Sequence, residues 1–195
     1  MANRPITKFF ATLWLKYLRN FWSMIRWNGK RKEVSREMIS VNDGNLKFTL
    51  KDVYSHYQWA MDDVSQLFDS MRPAPYLYNQ YLEAKLNDKV VEDDCDGYHT
   101  IIYHILKTNG YRVALITLVT DPISQSHTMV AIKDIADDGT VSYRVVNYTA
   151  ITGPYITLEE FVEQYEQYKH DVICWSLDEY DYDGRRFRNI SATGF

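Results

Sequence analysis

Between Ile6 and Trp27, apolar side chains fall at Phe10, Leu13, Trp14, Tyr17, Leu18, Phe21, Trp22, Met24 and Ile25. That three-and-four spacing is one face of a helix. Lys8, Lys16, Arg19 and Arg26 fall on or near the other side. The pattern predicts an amphipathic helix whose aromatic face is covered, either by the rest of the chain or by another molecule. Gly29 and the run Lys30-Arg31-Lys32 read as a helix stop and a solvated linker, so a domain boundary is expected between Asn28 and Asn45. A second helix is predicted from Leu50 to Met71, with Thr49 as N-cap and Leu50, Val53, Tyr57, Ala60, Val64, Leu67 and Met71 on one face. Pro73 and Pro75 break the pattern, and a shorter helix follows from Tyr76 to Leu86.

The second half has a different rhythm. Asp93 or Asp94 can cap a helix from Cys95 to Lys107, whose buried stripe is Tyr98, Ile101, Ile102, Ile105 and Leu106. Asn109-Gly110 ends it, because glycine adopts the left-handed conformation at helix C-termini. Strands are predicted at Tyr111–Val119, His127–Asp134 and Val141–Asn147, with Asp137-Asp138-Gly139 as the hairpin turn joining the last two. Thr157 and Glu160 form a capping box for a helix to Tyr168, and Asp171–Leu177 is a further short strand. Helices followed by a strand meander predict an α+β fold with an antiparallel sheet, not a repeating βαβ layout. The expected organisation is a basic helical appendage and linker over 1–45, a core over 46–180 and a loosely ordered tail over 181–195.

A chain of 195 residues, 46% hydrophobic and 25% charged, is long enough for one self-sufficient core. Two cysteines are too few for a disulfide scaffold, which predicts a reducing, cytoplasmic setting, with a virion as the alternative. The net charge of -4 conceals an asymmetry: residues 1–36 hold nine Lys or Arg and one acid, and the remainder thirteen basic and twenty-five acidic residues. The acidic body argues against nucleic acid as a partner, since phosphate contacts need clustered positive charge. No window of about 18 uncharged apolar residues exists to span a bilayer. A basic segment on an acidic body predicts docking of residues 6–27 on protein, in cis or between copies, in preference to an anionic membrane.

Cys95 stands at a predicted helix N-terminus, where the helix dipole and exposed N–H groups favour the reactive thiolate. His127 opens one strand of the predicted hairpin and Asn147 closes the other, so the two face each other at one end of the sheet. A Cys-bearing helix packed there completes nucleophile, base and base-orienter. Cys174, inside Val172-Ile173-Cys174-Trp175, reads as a core residue. Cys95, His99 and His127 form an alternative zinc set, unsupported by any paired-cysteine or HExxH motif.

Three motifs in order resemble the bacterial and phage transglutaminase-like cysteine peptidases over about residues 90–165. They are Asp94-Cys95-Asp96-Gly97-Tyr98, Ser126-His127-Thr128-Met129-Val130 and Val145-Val146-Asn147-Tyr148. Ser126 stands where that family has Gly, and Asn147 where it mostly has Asp. The resemblance implies a papain-like core and a thiol hydrolase or acyl transferase that cleaves an amide bond through a thioester on Cys95. It needs no cofactor and takes a protein or peptide substrate. His127 would be general base and acid, and Asn147 would orient the imidazole by accepting from Nδ1–H. The Cys95 backbone N–H is one oxyanion donor, and Gln80 and Asn87 are candidates for the second. The competing expectation is a catalytically silent module with a structural or binding role, such as in a phage particle or assembly.

Overall fold

The computed structural model describes residues 5–60, 71–169, 171–180 and 187–190. Helices α1 (Pro5–Leu13) and α2 (Arg19–Arg26) run through a π-helical turn, Trp14–Leu18, followed by a 3-10 turn at Asn28–Lys32. Next come α3 (Leu46–Ser55), β1 (Tyr57–Trp59), α4 (Ala74–Leu86), β2 (Val91–Asp93) and α5 (Cys95–Thr108). The meander consists of β3 (Arg112–Asp121), β4 (His127–Ile135), β5 (Val141–Asn147) and β6 (Ala150–Tyr155). Helix α6 (Leu158–Tyr168) precedes β7 (Asp171–Tyr180) and β8 (Phe187–Ile190). The six-stranded sheet has the order β6-β5-β4-β3-β7-β8 with antiparallel pairing throughout, and β1 and β2 form a separate parallel pair. The fold class is therefore α+β.

Alternation along β3 decides which helix lies on which face. Val113 and Leu115, with Val130, Ile132 and Val146, pack against α5, α4 and α3. Ala114, Ile116 and Leu118, with Met129, Ala131 and Val145, pack against Leu158, Phe161 and Val162 of α6. Every residue of α5 from Asp96 to Leu106 is buried, so this helix is covered on all sides. Its N-cap is Asp94, whose side chain accepts from the Asp96 N–H at 3.0 Å, and α6 carries the expected Thr157 cap.

Several elements differ from the sequence pattern. The helix expected over Leu50–Met71 starts earlier, at Leu46, and ends at Ser55, after which β1 pairs with β2. The Tyr57 hydroxyl ties this corner to the Asp93 carbonyl at 2.5 Å and to that of Asp94. Val64 and Leu67 lie outside the described residues. Pro75 does not stop α4 but sits in its first turn, where the missing N–H has no helical partner to lose. Part of the expected loose tail forms β8: the Asn189 side chain donates to the Leu177 carbonyl and to Asp178, and Arg188 pairs with Glu179. β6 went unpredicted because it contains Gly153-Pro154, residues common in turns; as an edge strand it tolerates the proline. At Gly153 φ is +110° and a Cβ would meet the Tyr143 carbonyl oxygen at 2.6 Å, so both conformation and space require glycine there.

The lead segment shows the largest departure. Its buried face is Ala11, Leu15, Arg19 and Ser23, spaced by four, while Phe9, Phe10, Tyr17, Phe21 and Ile25 are each more than half exposed. Of the stripe expected to be covered by the chain itself or by another molecule, Trp14 packs inward beside Ala11 and Leu15, whereas Phe10, Tyr17, Leu18, Phe21, Met24 and Ile25 point outward. Small residues let the helix approach closely, and the approach carries Arg19 into the core, where it is 1% exposed. Its guanidinium donates to Thr117 Oγ1 (2.9 Å) and Thr128 Oγ1 (3.4 Å) and pairs with Asp96 at 3.6 Å. Ala11 and Leu15 close the contact on Val119, with Ile173 and Cys174 packed alongside. No helix among the described residues is long and apolar enough to cross a membrane.

A buried ion pair that loses one partner leaves an uncompensated charge, at a cost of about 3–5 kcal/mol. Arg19→Met is therefore expected to lower stability by about that amount in urea denaturation. Lys85→Met, which removes the more exposed Lys85–Asp52 bridge, is expected to cost less than about 1 kcal/mol. Equal losses in the two variants would contradict the buried role of Arg19.

Candidate active site

Cys95 is the first residue of α5, and the turn leading into it is clamped from several directions. Tyr57 holds the carbonyls of Asp93 and Asp94. Arg72 pairs with the buried Asp93 carboxylate at 2.9 Å. Gly97 is required because a Cβ there would collide with that carboxylate. Oxygens of Asp93, Asp94 and Asp96 lie within 4.8 Å of one another, a charge density that by itself would oppose a thiolate. Arg72 on Asp93 and Arg19 on Asp96 offset much of it.

His127 and Asn147 meet as expected at one end of the sheet. The β4–β5 register pairs Val130 with Val146, which brings the end of β5 beside the start of β4. Asn147 Oδ1 lies 2.9 Å from His127 Nε2, whereas the resemblance implies a bond at Nδ1. Since a carboxamide oxygen only accepts, Nε2 carries the proton and Nδ1 is the basic atom of the neutral ring. Burial lowers the His127 pKa; the Asn147 hydrogen bond and the Asp94 charge act in the opposite direction, and Lys169 lowers it further. The ring is thus neutral near pH 7, the state a general base requires.

His99 was foreseen only as a zinc candidate, and the structure gives it a different place. Four residues along α5 from Cys95 and fully buried, it sets Nδ1 2.6 Å from the Cys95 carbonyl and accepts the Tyr148 N–H on Nε2 at 3.0 Å. A carbonyl on one nitrogen and an N–H on the other define a single tautomer, neutral with the proton on Nδ1. Burial, reinforced by the neighbouring His127, holds its pKa well below the ordinary histidine value. With its lone pair occupied by Tyr148, His99 is not a ligand in the alternative Cys95–His99–His127 zinc set. Its ring stands edge-on to His127, with centroids 5.4 Å apart and planes at 88°. Tyr148, directly after Asn147, has φ +51° and stacks near both imidazoles at 5.0 and 5.5 Å. Strained positive-φ residues of this kind cluster at functional sites.

Cys95, His127, Asp94 and Ser126 line one cavity of about 590 Å³. The lead segment contributes Phe10, Ala11 and Trp14 to the same lining. The candidate oxyanion donors Gln80 and Asn87 are not in its lining. Gln80 donates to the Tyr76 hydroxyl within α4, and Asn87 to the Glu83 carbonyl at that helix's end. Cys174 is partly buried against Ala11, Leu15 and Val119 and is not among the residues of this lining. No family model matches the chain, and no curated protein or solved structure is significantly similar to it.

Sequence spacing holds a signal for His99, which is four residues after Cys95 and so on the same helix face. Nothing local marks Arg19, whose hydrogen-bond and ion-pair partners Met71, Asp96, Thr117 and Thr128 lie 52 to 109 positions away.

The buried histidines also set an acid limit on stability. His104 lies 2.6 Å from the Ser35 hydroxyl, and burial lowers its pKa to about 4. A histidine whose folded pKa lies below its unfolded value near 6.5 contributes fully above pH 6.5; the contribution is lost as the unfolded chain takes up the proton on the way down to pH 4. His104 should account for about 2 kcal/mol of lost stability between pH 7 and 5. His104→Gln should flatten that difference in urea titrations at the two pH values, and an unchanged slope would refute the assignment.

Proposed function

We propose that the chain is a thiol hydrolase or acyl transferase acting on an amide bond, built on a papain-like core of the transglutaminase-like cysteine peptidase kind. One observation carries the reading: an imidazole held through Nε2 by Asn147, in a cavity it shares with a cysteine at a helix N-terminus. The Cys95 thiol passes its proton to His127 Nδ1, and the thiolate attacks the amide carbonyl carbon. N–H groups at the start of α5, that of Cys95 first, stabilise the oxyanion. His127 then donates the proton to the leaving amine as the C–N bond breaks, which leaves a thioester on Cys95. Water or an acceptor amine, deprotonated by His127, releases the acyl group and restores the thiol. The substrate is a protein or peptide.

Iodoacetamide is expected to label Cys95 faster than Cys174, and His127→Ala to slow labelling of Cys95 alone. General-base removal should reduce amide turnover by about 10²–10⁴-fold, with a smaller loss in Asn147→Ala. Equal labelling of both cysteines in the wild type would refute the reading.

A second reading, a silent module that docks in an assembly, draws support from the outward aromatic face of α1 and α2. In it, residues 6–27 bind a protein partner or a second copy. Deleting residues 1–36 should then abolish assembly in sedimentation, and Cys95→Ala should leave it intact. Assembly that survives the deletion would exclude this reading.

A further inference from the structure

The cavity beside Cys95 has walls of different chemistry. Its lining joins Cys95, His127 and Asp94 to Phe10, Ala11 and Trp14 of the lead segment, Val119 of β3 and Ile123 of the following loop. A volume of about 590 Å³ is that of a small-molecule site. Arg19 reaches the lining, but its guanidinium is engaged by Thr117, Thr128 and Asp96. The carboxylates of Asp94 and Asp96 repel an anion, and Phe10, Ala11, Trp14, Val119 and Ile123 make much of the remaining lining carbon, which favours burial of an apolar group over a charged one.

We infer that this cavity receives an apolar, uncharged group on the acyl side of the scissile bond, and that the lead segment supplies the wall that selects it. The inference rests on the thiol-acyl reading above and names its substrate class. The acyl group stays on Cys95 through both half-reactions, so a cavity lined by the nucleophile itself favours each of them. The leaving group departs after the first and gains nothing from it in the second. The lead segment is thus part of the site, and its burial through Ala11, Leu15 and Arg19 holds Phe10 and Trp14 at the cavity.

p-Nitrophenyl esters with one leaving group and varied acyl groups test this on the full chain. The Cys95 sulfur forms a bond to the ester carbonyl carbon and p-nitrophenolate leaves. Water then cleaves the thioester, giving the carboxylic acid and returning a proton to sulfur. The octanoate ester should be preferred over the acetate by about tenfold or more in kcat/KM, and the succinate monoester should be the poorest. Ala11→Phe, which fills the cavity, and Phe10→Ala, which removes an exposed wall residue and does not endanger the core, should each lower the octanoate-to-acetate ratio. Acetate hydrolysis without a preference for octanoate, or a ratio unmoved in a folded Phe10→Ala protein, would overturn the inference while leaving the thiol reading standing. If no ester is hydrolysed, or Cys95→Ala hydrolyses them equally well, the thiol reading fails. Calorimetry with octanoate and succinate on Cys95→Ala then decides the cavity's chemistry: selective octanoate binding upholds it, and equal or absent binding overturns it.

Discussion

A helix buried on every side must satisfy every polar group it carries, and that demand on α5 organises the rest of the chain. An unpaired buried polar group costs about 1–3 kcal/mol, and a charged one more. Asp96, His99 and His104 all lie in the covered stretch. Each is met by a segment distant in sequence: Arg19 of α2 for Asp96, the backbone after β5 for His99, and Ser35 in the linker for His104. Arg72 does the same for Asp93, just ahead of the helix. The polar positions of α5 therefore recruit the lead segment, the linker and the sheet.

The same demand shapes the site. His99 joins the carbonyl of Cys95 to the backbone beyond Asn147, so one buried ring connects the start of α5 to the end of β5. His99 and His127 lie ring against ring, and burial together with their mutual repulsion keeps His99 uncharged. A neutral pair is the arrangement two imidazoles at this distance tolerate, and it leaves His127 ready to accept a proton. The acids around Cys95 would work against its thiolate, and Arg72 on Asp93 and Arg19 on Asp96 offset two of the three.

Charge also bears on why the lead segment turns most of its aromatic face away. Burying that stripe would gain apolar area but leave Asp96 without Arg19. Burying Ala11, Leu15, Arg19 and Ser23 closes the core around an ion pair and exposes Phe9, Phe10, Tyr17 and Phe21. A buried Arg19–Asp96 pair thus goes with exposed aromatic rings on the same helices, an outcome that hydrophobic periodicity alone does not anticipate.

What the sequence determined by itself was local. The Asp94 cap, the apolar stripe and Asn109-Gly110 delimit α5, and alternating β-branched residues delimit β3, β4 and β5. Their order brings His127 and Asn147 together, because a hairpin places the start of one strand beside the end of the next. Tertiary structure alone decided the parallel β1–β2 pair, the edge strands β6 and β8, the burial of Arg19, the tautomer of His99 and the nitrogen of His127 that Asn147 holds. Local structure follows from spacing and capping over a few residues, whereas these features arise from groups up to 109 positions apart that must satisfy one another once water is gone.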